Sequence, residues 1–320
     1  MRVVRLPAVP SAELATISRT ALDRPLVHSA ELIVAVPADE AIVLGSFQRL
    51  SEVGSTVAPG DSVTRRGSGG AEVRVGPGTV WMQLALARPD ALVECEPGRL
   101  LNRHVRPLLR ALAKVGALAH YFDRDWVSVS KLPIGAVSFA HDTTTQRSLV
   151  EAFIAVDTPF AVRERPSFLG KPARTLRGIG IDADVDPARV ADAVIDAYAS
   201  AYGIGELALD TASEMTRALS RDLAGTADVD PRDELSWAAT RDEAIGVVAA
   251  GRDRAGRMRV GGELMVSRDA IARLEAAIAE AGGDPLRLDR AVDELAAEGV
   301  AMLGVRELRS IRDAIEDALQ

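Results

Sequence analysis

Cysteine occurs once in these 320 residues, lysine three times and histidine four times, and aromatic residues make up only 4%. The lone Cys95 excludes an internal disulfide and any metal cluster built on several thiolates. Chemistry that needs an ammonium has only Lys114, Lys131 and Lys171 to draw on. His28, His104, His120 and His141 lack metal-ligand spacing, so no metal site is expected from them. No stretch approaches the roughly 18 consecutive apolar residues of a membrane span. The opening MRVVRLPAVPSAEL has neither the apolar core nor the small-residue cleavage site of a signal peptide. A cytoplasmic protein without membrane association is therefore expected. A net charge of −8 speaks against a nucleic-acid-binding surface spread over the whole molecule, while a local basic pocket stays open.

What is present is an ordinary globular composition, 48% apolar and 26% charged, in a chain long enough for two domains. The first half reads as strands: 31–37, 41–47, 71–76, 79–87 and 126–130 are rich in β-branched and aromatic residues and are punctuated by Gly, Pro or Asp. The pair 71–76 and 79–87, joined by Gly-Pro-Gly, predicts a hairpin. Helical spacing over 98–117 predicts a helix that Pro107 kinks or breaks. SLVEAFIAVD and TLRGIGID read as further strands, and DPARVADAVIDAYASAYG as a helix opened by Asp-Pro and closed by Gly. Segment 206–240 shows no clear strand and reads as a connection or cap. From about 244 the pattern becomes strand, turn, strand, then the amphipathic helices RDAIARLEAAIAEAGG and SIRDAIEDALQ. A first domain over 1–243, including a connecting segment 206–243, and a smaller α+β unit over 244–320 are expected.

The stretch RRGSGG, 65–70, sets two arginines against a glycine-rich turn. Successive amides in such a turn can form an anion-binding concavity, to which Arg65 and Arg66 would add forked donors for phosphate or carboxylate. A surface loop with solvated arginines satisfies the same letters. It is not a P-loop, since no Gly-Lys-Ser/Thr follows, and it does not open a helix as a dinucleotide fingerprint does.

The surroundings narrow the choice. Leu44, Gly45 and Gln48 close an apolar strand ahead of Arg65, Arg66, Ser68, Gly69 and Gly70, and Gly76-Pro77-Gly78-Thr79 leads into the next strand. This succession resembles the lipoate–protein ligase family, within the biotin/lipoate ligase and octanoyltransferase superfamily, with Ala71 where a third glycine would stand. Gly261-Gly262-Glu263-Leu264-Met265, followed by Leu274-Glu275, is similar to that family's C-terminal accessory domain. The resemblance implies an α/β (α+β) mixed-sheet catalytic domain with a small α+β accessory domain. It also implies ATP, Mg²⁺ and lipoate as cofactor, metal and substrate, and a lysine of a lipoyl-type carrier protein as acceptor. Gly45, Gln48, Arg65, Arg66, Ser68, Gly69, Gly70, Asp125 and His141 would line the substrate site.

The family's catalytic lysine has no direct counterpart. In RDWVSVSKLPIGAVSFAHD, Asp125 fits the family's aspartate, but Pro133 falls on the lysine and Lys131 sits two residues early. Lys131 supplies the ammonium from a displaced position, or it is a solvated lysine at a strand end. Lys171 would touch nucleotide or substrate. Cys95 is a weak candidate nucleophile, because its flanking glutamates disfavour the thiolate. His141 and Asp142 could orient an incoming amine; Trp81, Trp126 and Trp237 read as packing residues, Trp81 also as a wall for an acyl chain. Three functions follow: an ATP-dependent ligase that activates lipoate or a related acid and transfers it to a carrier lysine, a non-catalytic ligase-fold binder or partner subunit that recognises a carrier, lipoate or nucleotide, or an ATP-independent octanoyl transferase.

Overall fold

The computed structural model describes residues 1–50, 62–123, 125–181, 184–209, 236–242, 246–297, 302–303 and 308–320. A mixed eight-stranded sheet organises the first domain. Its strands are β1 (Arg2–Arg5), β2 (Ala30–Ala35), β6 (Thr79–Leu86), β7 (Ala119–Tyr121), β8 (Trp126–Val129), β9 (Leu132–His141), β10 (Ser148–Ala155) and β11 (Glu206–Leu209), in spatial order β11-β1-β2-β6-β10-β9-β8-β7. The β11-β1-β2 edge is parallel and the pairings from β2 to β7 are antiparallel.

Both faces of this sheet are covered, so β6 and β10 are buried along their whole length and lose the alternation of a half-exposed strand. Helices α2 (Leu100–Lys114) and α3 (Pro187–Tyr202) cover one face, placing Leu101, Val105, Leu108, Val190 and Val194 against Leu32, Leu84, Val137 and Val150. The other face carries α1 (Ser11–Thr20) and a small sheet of β3 (Ala41–Leu44), β4 (Ser62–Arg65) and β5 (Val73–Val75), in order β4-β3-β5.

Several sequence expectations hold. Asp186 caps α3 by accepting from the Arg189 amide at 2.7 Å, and Gly203 ends it with φ 76°. Others are corrected. The strands around Gly-Pro-Gly do not form a hairpin: β5 pairs with β3, while β6 enters the large sheet between β2 and β10. The turn is held instead by the Gly78 carbonyl, which accepts from the amides of Val156, Asp157 and Thr158. TLRGIGID is no strand; a 3₁₀ turn at Arg177–Ile179 runs into Gly180 at φ 78°. Helix α2 continues through Pro107 without a break. The connecting segment, expected without strands, contributes two among the described residues: its first residues form β11, beside β1, and Ser236–Asp242 pairs in the sheet of the C-terminal unit, not in the first domain. Residues 210–235 lie outside the described residues.

The C-terminal unit contains an antiparallel sheet of β12 (Ser236–Asp242), β13 (Val247–Arg252) and β14 (Met258–Gly262), then the pair β15 (Met265–Val266) and β16 (Met302–Leu303). Three helices pack on it: α4 (Arg268–Ala281), α5 (Pro285–Ala297) and α6 (Leu308–Leu319). Helix α5 is not among those expected from the sequence, although Asp284 before Pro285 repeats the Asp-Pro start of α3, with its carboxylate accepting the Leu286 amide at 2.9 Å. Phe47, from the turn after β3, enters the core of this unit, and its carbonyl accepts the Gly262 amide at 2.9 Å.

Candidate functional site

The arginine-glycine loop lies between the large sheet and the C-terminal unit, and each of its amides donates to a protein acceptor. The Gly67 amide donates to Ser18 Oγ at 2.7 Å and the Ser68 amide to Glu151 Oε2 at 3.3 Å. The Gly69 amide donates to the Phe139 carbonyl at 3.0 Å and the Gly70 amide to the Leu264 carbonyl at 2.8 Å. Here the glycines serve close approach. A Cβ on Gly69 would lie 2.1 Å from the Leu264 oxygen, and one on Gly45 1.9 Å from the Gly70 oxygen. The backbone of the C-terminal unit therefore lies directly on the loop.

Arg66 points inward and is 2% exposed. Its Nε donates to Ser68 Oγ at 3.0 Å, Nη1 to the Val43 carbonyl at 3.1 Å, and Nη2 to the carbonyls of Gly69 at 2.6 Å and Ala71 at 2.8 Å. The guanidinium sits 5.3 Å from the centre of the Phe153 ring. Burial lowers its pKa to about 10, against the opposing pull of Glu151, so it stays a cation at neutral pH. Arg65 donates from Nη1 to the carbonyls of Gly45 and Gln48. Gln48 accepts the Gly45 amide at 3.0 Å and donates to Glu72 at 2.7 Å.

Beneath the loop stands Glu151, which sequence reasoning did not single out. Its carboxylate accepts from the hydroxyls of Ser18 and Ser68 and from Trp81 Nε1 at 2.8 Å, while Ser68 Oγ also meets Ser138 Oγ at 2.7 Å. Burial raises the pKa of Glu151, and Arg66 with these donors counters it. The readable signal was a glutamate within the otherwise apolar run SLVEAFIA.

A second group of charges adjoins the loop. Arg163 Nε lies 2.8 Å from Glu72, and its Nη2 lies 2.5 Å from Glu263 of the C-terminal unit. Arg165 pairs with Asp125 and lies 3.5 Å from Glu263 Oε2. Burial works against the charge on both arginines, yet Glu72, Asp125 and Glu263 outweigh it and raise their pKa values; burial likewise raises that of Glu263. Asp125 thus joins the site through Arg165. The sheet face alongside is filled by aromatic rings: Trp81 on Phe153 at 4.9 Å, Phe160 on Phe168 at 5.9 Å, and Trp126 on Phe168 at 6.2 Å.

The structure brings together Gly45, Gln48, Arg65, Arg66, Ser68, Gly69, Gly70 and Asp125. It leaves out Lys131 and His141. Ser130 and Lys131, at φ 50° and 68°, form the exposed two-residue turn between β8 and β9, both in the left-handed region. Ser138, which faces the loop, is seven residues further along β9, about 23 Å of strand. Near the turn the register slips by one between Val127 and Ser128, leaving Ile134 as the extra residue beside Pro133. Pro133 is accommodated beside this irregularity, and its carbonyl accepts the Arg174 amide at 2.8 Å.

His141 ends β9, with Nδ1 2.9 Å from Ser148 Oγ, and burial lowers its pKa. Asp142 binds Arg268 of the C-terminal unit at 3.0 Å. Lys171 lies half-buried on the turn after Phe168, to whose carbonyl its amide donates at 3.0 Å. The Cys95 thiol is pushed up to about 11, chiefly by burial, with Arg103 opposing, so it is a poor nucleophile. Among the described residues no group of three or more His, Cys, Asp or Glu is placed to hold a metal ion, and no helix is long and apolar enough to cross a membrane.

No family model matches the sequence, and no curated protein matches it. Solved structures do. The chain superposes on P. falciparum LipL1 in complex with lipoate with a TM-score of 0.63 at 11% identity, covering 99% of both chains. A lipoate-protein ligase A bound with ATP gives 0.56 at 15% identity, covering 72% of this chain and 97% of that one. A bi-partite lipoate protein ligase from Thermoplasma acidophilum gives 0.54 at 16% identity, covering 71% and 92%. The chain therefore has the fold of the lipoate–protein ligases, a mixed sheet with helices and a C-terminal α+β domain, as the resemblance in its motifs implied.

Proposed function

We propose that this chain is a non-catalytic ligase-fold protein, a binding or partner subunit that recognises a lipoyl-type carrier protein and does not itself form an acyl-adenylate. One observation carries the reading: the amides of Gly67, Ser68, Gly69 and Gly70, which would have to cradle an acyl phosphate, already donate to Ser18, Glu151, Phe139 and Leu264. These residues do not fit a nucleotide phosphate, because an amide has one proton to donate. The only lysine of the segment stands on an exposed hairpin turn, so no ammonium is available where negative charge would develop on an acyl carbonyl or bridging oxygen. The apolar slot that would take an acyl chain is packed with Trp81, Phe153, Phe160 and Phe168, each no more than 1% exposed.

Retention of the whole fold, accessory domain included, supports carrier recognition, since a ligase-derived surface can outlive its chemistry. The test is pyrophosphate release with ATP, Mg²⁺ and lipoate or octanoate, run beside calorimetric titration with a lipoyl carrier domain. Carrier binding without pyrophosphate release is expected. Release above the protein-free control that falls in Lys131→Ala would overturn this reading in favour of an ATP-dependent ligase with a displaced lysine.

A further inference from the structure

We propose that Arg163 and Arg165 form a carboxylate-binding seat that Glu263 occupies from within the chain, so that closure of the C-terminal unit and binding of a free carboxylic acid exclude each other. Glu263 bridges the two arginines, Oε1 at 2.5 Å from Arg163 and Oε2 at 3.5 Å from Arg165, as a bound carboxylate would. The seat is shaped for that group. Glu263 is 4% exposed, and a Cβ on Gly246 would lie 2.2 Å from its Oε2, so the room for the carboxylate depends on a glycine there.

Glu263 is not the sole carboxylate at either arginine. With Glu263 in place, Arg163 meets Glu72 and Glu263, and Arg165 meets Asp125 and Glu263. The pairs of Glu72 with Arg163 and of Asp125 with Arg165 do not depend on Glu263, so both arginines stay held in place when its carboxylate is exchanged for another. Solvent has a way in, because the Arg163 side chain remains 34% exposed. The ring of Phe168, 5.6 Å from the Arg165 guanidinium, sets an apolar group beside the seat, which suits a carboxylate carrying a short aliphatic tail over an inorganic anion. Tethering gives Glu263 the advantage of a high effective concentration, so the free acid competes only weakly against the intact chain. The inference concerns these arginines and stands whether or not the protein turns over an acyl substrate.

The test removes the tethered group and returns it in solution. Thermal unfolding of Glu263→Ala, Glu263→Gln and the parent chain is compared in propionate, propionamide and chloride at equal ionic strength. In 100 mM propionate Glu263→Ala is expected to gain about 3 °C over chloride, while propionamide gives no gain and the parent and Glu263→Gln shift by less than about 1 °C. An equal response in all three proteins, or none in a folded Glu263→Ala, overturns the proposal. Should Glu263→Ala not fold in chloride, the intact protein decides. Propionate is expected to speed hydrogen exchange of the Gly70 amide, which donates to Leu264 beside Glu263, by about threefold or more over propionamide. Unchanged exchange refutes the seat.

Discussion

Replacing Arg66 by alanine separates a structural arginine from a ligand-binding one. The substitution takes the cation away from Glu151 and strips the carbonyls of Val43, Gly69 and Ala71 of donors in a region where Arg66 is 2% exposed. Leaving a buried charge without its compensating opposite charge costs up to about 3–5 kcal/mol. Glu151 keeps its donors from Ser18, Ser68 and Trp81, which moves the expected cost toward the lower end, about 3 kcal/mol. At roughly 2–4 °C per kcal/mol, Tm falls by about 6–12 °C, measured by far-UV circular dichroism without any ligand. Arg66→Lys keeps the charge but not the fork, and should fall between the two. An arginine aimed at a ligand would leave the alanine variant within about 0.5 kcal/mol of the parent. A Tm change under about 2 °C would refute the assignment.

Other consequences are as direct. Gly69→Ala puts a methyl group 2.1 Å from the Leu264 oxygen, so the C-terminal unit must lift; hydrogen exchange of the Gly70 amide should accelerate about tenfold or more. Lys131→Gly relieves a left-handed residue at φ 68° in an exposed turn, and should raise stability by about 1 kcal/mol without changing carrier affinity. His104 is fully buried, and burial lowers its pKa to about 4. Between its unfolded value of about 6.5 and pH 4 the unfolded chain binds the proton and the folded chain does not, so stability falls on acidification, by up to about 3 kcal/mol from this group. His104→Gln should flatten that slope; an unchanged pH profile between pH 7 and 4.5 contradicts the argument.

The sequence made the architecture legible because its signals are local. The Asp-Pro start at Asp186, the helical spacing of α2 and the Gly-Gly-Glu-Leu-Met block each carry their meaning within a few residues. The arginine-glycine loop was also recognisable, since its glycines mark a backbone that something approaches closely. What approaches was not readable: the acceptors of the Gly69 and Gly70 amides, Phe139 and Leu264, come from a distant strand and from the other domain. The place of Lys131 depends on the single extra residue at Ile134, a register detail that strand periodicity does not encode. Glu72, Arg163, Arg165 and Glu263 were hidden for a related reason. Each looks like a surface charge until folding gathers them from three separate segments. Glu151 left a readable signal, a charge inside an apolar run, which the sequence reading did not take up.

The central claim, that the loop is a joint between domains and not a phosphate cradle, is tested most directly by following the backbone amides of Gly67, Ser68, Gly69 and Gly70 by NMR while ATP and Mg²⁺ are added. Unmoved resonances with slow solvent exchange at Gly69 and Gly70 are predicted; progressive, saturable shifts at all four amides would contradict the claim and return the loop to the role of an anion site.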